Sequence, residues 1–344
     1  MLRGGPLAET RVINLLNRRF ISFYFNVGRG GQGYDADAAA YIAKVDPRFG
    51  GNAVPTPPVW IFSPEGKLLA TIDNFASKDV FFSSLLKVLQ DHADYNRVTG
   101  DEQKLIDAAA AANATDDERL AHAQLLEQLG RESAAAGEYG KVAASAPAGS
   151  KATAVAQLGI ARLARLTQKW TTLDRALAAV EAANTDNRHG LADEVAMERA
   201  YHLQADGKHK ELREHLEAAV KAYPASKRLG EMHFTLGVAC LLLDDAAWAN
   251  YHFCWVMENL PADRLYMRCY LAASREAIPY PNPELGGFRS RNGMVSHALA
   301  DRARDRAMQD YARLKRQLAT PAPTPANPTP TPNGNGNGPR VEDF

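Results

Sequence analysis

The stretch Gly230–Asp263, GEMHFTLGVACLLLDDAAWANYHFCWVMENLPAD, decides the fold of the longer part of the chain. Its small and large residues alternate as in a hairpin of two helices, and a proline ends the second helix. Small residues let two helices approach closely, and a large residue fills the groove between them. We expect five residues to form this hairpin core: Leu236, Gly237, Ala249, Phe253 and Pro261.

The same order of small and large residues recurs upstream, counted back from Pro147 and from Pro224. A further unit near residues 152–183 keeps Leu158-Gly159 but loses the later positions. The units start near residues 116, 152, 193 and 230. The pattern resembles the tetratricopeptide repeat, although the spacings of 36, 41 and 37 residues exceed its period of about 34.

This resemblance implies an all-α solenoid of helical hairpins with a concave face that binds a peptide or a protein. Met197, Tyr201 and Phe234 fall on inner helices and are candidates for partner binding at that face. The alternative, that these side chains pack between repeats, stays open at this point.

Residues 8–95 carry mixed helix and strand signals. Strands are predicted at Phe20–Val27, Val59–Phe62 and Leu68–Ile72, and the last two should form a hairpin. Helices are predicted at Glu9–Arg18, at Asp35–Lys44 and from a Ser77 cap to about His92, the last with Val80 on its apolar face.

Residues 51–72, GNAVPTPPVWIFSPEGKLLATI, resemble the second half of a thioredoxin-like domain. Thr56-Pro57 stands nine residues before Gly66, and the resemblance makes this step the candidate cis proline. The family's CxxC motif and first strand should precede the first helix, but no cysteine occurs before Cys240. The resemblance therefore implies a redox-silent domain without its central strand. Either the true start lies upstream, or another segment fills the gap, or the domain is degenerate.

The composition excludes several classes of function. Lys+Arg and Asp+Glu are both 40, so no net basic charge attracts nucleic acid. No apolar run approaches the roughly 20 residues that span a bilayer. Cys240, Cys254 and Cys269 are widely spaced and are interpreted as buried hydrophobes, and His202, His209 and His215 as surface residues. We expect no metal and no cofactor.

The predicted fold class is α+β followed by all-α. The domains are an incomplete thioredoxin-like domain at 1–95, helical repeats at 96–277, a loop and capping helix at 278–318, and a disordered Pro/Asn/Gly-rich tail at 319–344. The proline-rich loop after residue 277 is either a binding segment or a capping wrap. The bare N-terminus indicates a cytoplasmic protein, or a periplasmic or exported one if a segment precedes it. The sequence favours a non-enzymatic interaction scaffold; the alternative is a thiol–disulfide oxidoreductase whose CxxC lies upstream.

Overall fold

The computed structural model describes residues 9–22, 35–46, 58–72, 77–273, 277–279, 288–290 and 297–319. Within these ranges the protein is mostly α-helical and has a small β part. None of the helices in these ranges combines the length and apolar character that crossing a membrane requires. The candidate cis proline step Thr56-Pro57 and the tail from residue 320 onward lie outside the described residues.

The first part of the chain forms a small core around one β-hairpin. Its elements are α1 (Thr10–Arg19), α2 (Ala36–Val45), β1 (Val59–Phe62), β2 (Leu68–Ile72), α3 (Lys78–Asp91) and a short 3-10 helix at Ala93–Tyr95. The strands are antiparallel, with an irregularity between Ile61 and Phe62. Apolar side chains of α1, both strands and α3 pack together in this core. The predicted hairpin and the three predicted helices are confirmed.

Two details of this part differ from the sequence predictions. Val80 is 54% exposed, so its assignment to the apolar face of α3 is wrong. The buried stripe of α3 includes Phe81, Leu85 and Val88, and Val80 lies about 100° away from it around the helix axis. Phe20–Ser22, the described start of the predicted strand Phe20–Val27, has no regular secondary structure. Residues 23–27 lie outside the described ranges.

The longer part of the chain consists of helices that pack in sequence order. They are α4 (Gly100–Ala110), α5 (Asp116–Gln128), α6 (Glu132–Ser145), α7 (Lys151–Leu166), α8 (Trp170–Ala183), α9 (Ala192–Ala205), α10 (His209–Ala222), α11 (Leu229–Leu242), α12 (Ala246–Asn259), α13 (Tyr266–Ala273) and α14 (His297–Ala319). From α4 to α13 each helix contacts the next, α5 also contacts α7, and α7 contacts α9. The predicted unit starts fall within one residue of the first residues of α5, α7, α9 and α11.

Two short strands, β3 (Ala277–Pro279) and β4 (Phe288–Ser290), pair antiparallel before α14. The sequence predicts only an irregular loop here. Strands of three residues are too short to show the alternation of apolar and polar residues that identifies a strand.

Helix α1 joins the first part of the chain to the helical part through arginine side chains. Arg19 donates hydrogen bonds to both carboxylate oxygens of Glu102 in α4, each at 2.7 Å. The Arg19 and Glu102 side chains are only 4% and 3% exposed. Arg11 reaches Glu132 of α6 at 3.2 Å, and Arg18 donates to Gln128 of α5 at 2.7 Å. Burial would raise the pKa of Glu102, but the hydrogen bond from Arg19 lowers it.

The predicted hairpin core lies between α11 and α12. Leu236, Ala249 and Phe253 are buried, and Pro261 lies in the turn just after α12. A Cβ atom added to Gly237 would lie 2.5 Å from Cε1 of Phe253. This close approach requires glycine at position 237, because any side chain there would meet the ring.

Replacing Gly237 by alanine should destabilise the protein, whereas the same replacement at an ordinary glycine inside a helix stabilises it. Gly237→Ala should destabilise the protein by about 1–3 kcal/mol, since overpacking at Phe253 outweighs the better helix propensity of alanine. Gly137→Ala in α6, where an added Cβ has no atom within 4 Å, should stabilise it by about 0.5–1 kcal/mol. Urea denaturation of both variants measures the difference. Equal shifts in the same direction would contradict the close approach.

Candidate functional site

A cavity of about 430 Å³ opens along one side of the helical part. Its walls come from α5, α7, α9, α11, α13 and the residues just before α13, and we call these five helices the inner helices. The N-terminal end of α1 and Lys78 of α3 complete the lining. The volume lies within the range of about 300–1,000 Å³ that ligand sites occupy.

Arginine and glutamate side chains connect successive inner helices across the cavity wall. Arg162 of α7 donates two hydrogen bonds to Glu127 of α5, each at 3.0 Å, and lies 3.7 Å from Glu194 of α9. Nε of Arg165 donates to Oε2 of Glu198 in α9 at 2.7 Å. Burial would raise the pKa of Glu127, but Arg162, Tyr139 and Arg165 together lower it. These charge-assisted hydrogen bonds hold the wall in place.

A second group of charges lies where α11 and α13 meet. Glu231 accepts a hydrogen bond from Nε of Arg228 at 2.6 Å and one from the Tyr201 hydroxyl of α9, and it lies 3.5 Å from Arg264. Burial would raise the pKa of Glu231, but Arg228 and Arg264 lower it to about 2. Glu231 is therefore ionised near neutral pH and fixes the two arginines beside it.

Arg268 of α13 brings a further positive charge to this end of the cavity. Its guanidinium carbon lies 5.8 Å from the centre of the Phe234 ring. Burial lowers the pKa of Arg268, a shift that Glu9 opposes and Arg264 reinforces. The pKa is lowered because burial disfavours the charged form of the side chain.

Two of the three candidate partner-binding residues line the cavity, and the third does not. Tyr201 and Phe234 line the cavity, and the guanidinium carbon of Arg165 lies 4.4 Å from the centre of the Tyr201 ring. Met197 is fully buried and packs with Leu212 and Leu216 of α10. We correct its assignment to the partner-binding face, because it lies in a buried cluster shared by α9, α10 and α11 and does not line the cavity.

Sequence reasoning missed the charged residues of the cavity. The available signal was their spacing: Arg162 and Arg165 are three residues apart on α7, and Glu194 and Glu198 are four apart on α9. Residues at these spacings share one face of a helix. Charged faces are ordinarily solvated, so the spacing alone did not distinguish a cavity wall from an exposed surface.

The predicted surface histidines are half-buried and two of them have defined partners. His202 stacks on Trp170 at 5.0 Å between ring centres, and its Nδ1 lies 2.9 Å from Asp174. Nε2 of His215 lies 2.8 Å from the carbonyl oxygen of Ala196. In the part of the chain that the structure describes, no group of three or more His, Cys, Asp or Glu side chains could hold a metal ion.

A buried histidine pair, not anticipated from the sequence, joins α11 to α12. Nδ1 of His233 lies 3.0 Å from Nδ1 of His252, and the two residues are 3% and 5% exposed. The His233 ring stacks on Trp255 with 3.7 Å between ring centres. Burial lowers the pKa of His233 to about 3. Burial, His233 and Arg213 lower the pKa of His252.

The three cysteines are free and buried, as predicted. They share one apolar cluster formed by α11, α12, α13 and α14. Burial raises the pKa of Cys240 and Cys254 to about 12 and that of Cys269 well above its usual value. A buried thiol with a raised pKa is a poor nucleophile, because the thiolate is the reactive form.

Comparison with known proteins adds no relative to this description. No protein-family model, no curated protein sequence and no solved structure matches the chain.

Proposed function

We propose that the protein is a non-enzymatic interaction scaffold whose helical part binds an extended peptide segment of a partner protein in the cavity. The observation that carries this proposal is the lining of one cavity by five inner helices in succession. A ligand that follows the cavity from α5 to α13 meets each inner helix in turn, as an extended chain can.

Sequence and packing support a solenoid of tetratricopeptide-like hairpins as the frame of this site. The helices from α4 to α13 pack in chain order, and α7 also contacts α5 and α9. Gly159 and Gly237 each lie against an aromatic ring, of Tyr139 and of Phe253. In such an arrangement the inner helices form a continuous surface for a partner.

The thioredoxin-like part of the proposal is a redox-silent domain that serves as a second docking element. Support comes from the β1–β2 hairpin and α3, which follow the order of the family's second half, and from the lack of a cysteine before Cys240. The alternative, a thiol–disulfide oxidoreductase, needs a reactive cysteine pair upstream of this sequence. Neither hypothesis expects this chain to reduce insulin, because its three cysteines, Cys240, Cys254 and Cys269, are free and buried; reduction of insulin would show that one of them is reactive.

Blocking the cavity tests the scaffold proposal. Peptides are selected from a random-sequence phage library against the full chain, and their affinities are measured by fluorescence anisotropy. Gln124 lines the cavity from α5 and is exposed, so Gln124→Trp should fold and should fill part of the cavity. We expect the selected peptides to bind this variant at least about tenfold more weakly, a loss of about 1.4 kcal/mol.

The matched control places the same substitution outside the cavity. Gln103 is an exposed glutamine on α4, so Gln103→Trp should bind the selected peptides as the unmodified protein does. Equal affinities for both variants, or a library that gives no binding peptide, would count against peptide binding in the cavity.

A further inference from the structure

The N-terminal end of α1 belongs to two structures at once. Its buried residues Val12 and Leu15 pack in the core of the first part of the chain, together with side chains of β1, β2 and α3. Four residues at this end of the helix also line the cavity: Glu9, Thr10, Arg11 and Asn14. The cavity is therefore built by both parts of the chain, and α1 is the element that they share.

The two ends of α1 reach the two ends of the row of inner helices. Nε of Arg18 donates a hydrogen bond at 2.7 Å to Gln128 of α5, the first inner helix. At the other end, the negative charge of Glu9 acts to raise the pKa of Arg268 in α13, the last inner helix. A helix of 10 residues is only about 15 Å long. Helix α1 therefore spans the row from its first helix to its last.

Side-chain amides line the cavity from α1 and from the inner helices. Asn14 lies on α1, whereas Gln124 lies on α5 and Gln204 on α9. An amide side chain both donates and accepts hydrogen bonds. An extended backbone has N–H and C=O groups on two opposite edges, and each of these groups needs a partner. Amides on the inner helices suit one edge of such a segment, and the amide on α1 suits the other.

Resting on the proposed function, we infer that the partner segment is bound between α1 and the inner helices, with the Asn14 amide hydrogen-bonded to its backbone. The first part of the chain then supplies one wall of the peptide site through α1. The segment contacts both walls, so its binding holds α1 in the docked position.

The docking of α1 and the binding of the segment should therefore stabilise each other. Arg19 and Arg11 already attach α1 to Glu102 of α4 and Glu132 of α6, and neither of these glutamates lines the cavity. A ligand that contacts α1 only when the helix is docked shifts the equilibrium towards docking. We expect hydrogen exchange at the backbone amides of α1 to slow when the cavity is occupied.

An asparagine substitution tests the contact on the full chain. The probes are library-selected peptides whose binding Gln124→Trp weakens, so that each of them occupies the cavity. Asn14→Ala should bind these peptides about three- to tenfold more weakly, the effect of one lost hydrogen bond. Asn14 is only half-buried and alanine is the better helix former, so the variant should fold.

The matched control is the same substitution on the same helix. Asn17 is exposed and lies outside the cavity lining, so Asn17→Ala should bind the peptides as the unmodified protein does. The second measurement is hydrogen exchange followed by mass spectrometry, with and without saturating peptide. Exchange should slow at Thr10–Arg19 and stay unchanged in α8, which contributes no residue to the lining.

The outcomes separate this inference from the proposed function. Equal affinities of Asn14→Ala and Asn17→Ala, or exchange of α1 that the peptides leave unchanged, would overturn the inference while peptide binding in the cavity stands. Faster exchange of α1 on binding would mean that the segment displaces the helix, and would also overturn it. If the library gives no peptide that Gln124→Trp weakens, the scaffold proposal fails together with the inference.

Discussion

Glu102→Ala is expected to lower the free energy of unfolding by about 3–5 kcal/mol, the range for removing one partner of a buried ion pair. The substitution leaves the Arg19 guanidinium, whose side chain is 4% exposed, without its carboxylate. It also removes the capping box in which Glu102 accepts a hydrogen bond from the Thr99 backbone N–H at 3.0 Å. Urea denaturation followed by circular dichroism measures the loss.

The same helix offers a matched control for this prediction. Lys104 and Asp101 form an ion pair at 3.0 Å, but their side chains are 80% and 93% exposed. Exposed ion pairs contribute about 0–1 kcal/mol to stability. Lys104→Ala should therefore change the free energy of unfolding by less than about 1 kcal/mol. A Glu102→Ala loss as small as the Lys104→Ala loss would show that α1 does not dock on α4 as described.

The second large effect concerns acid stability and the buried histidine pair. Both histidines have pKa values in the folded protein below the ordinary value of about 6.5, and that of His233 is about 3. Below pH 6.5 the two histidines therefore bind protons in the unfolded chain but stay neutral in the folded protein. As the pH is lowered below 6.5, the free energy of unfolding decreases by up to about 1.4 kcal/mol per pH unit for each histidine. Above pH 6.5 the pair adds no pH dependence.

Between pH 6 and pH 5 the pair should account for roughly 2–3 kcal/mol of lost stability. The double variant His233→Phe/His252→Leu should lack this slope, and each single variant should keep about half of it. The readout is the change in unfolding free energy with pH, so a shift in absolute stability at pH 7.5 does not affect the test. Identical slopes in the unmodified protein and the double variant would contradict it.

Local signals made most of the helices predictable. Pro147, Pro224 and Pro261 mark the ends of second helices because proline lacks the N–H group that continues a helix. Ser77 predicted the start of α3 correctly, since its side chain accepts the Val80 backbone N–H at 3.2 Å. These signals act over a few residues and can be read directly along the chain.

The contacts that define the candidate site act over long separations and were not predictable in this way. Glu127 and Arg162 are 35 residues apart, and Arg19 and Glu102 are 83 apart. A single sequence gives the charge of each residue but not which distant charge it meets. Met197 shows the same limit at close range, because a small rotation of α9 decides whether a side chain faces the cavity or α10.

The contacts of α1 with residues far along the chain bear on the order in which the protein folds. The helices from α4 to α13 each contact the next one along the chain, and such local contacts form early because little chain entropy is lost in closing them. By contrast, Arg11 of α1 meets Glu132 across 121 positions. Helix α1 is therefore expected to dock late in folding and to detach early in unfolding, so the side of the cavity that α1 lines is the last to form.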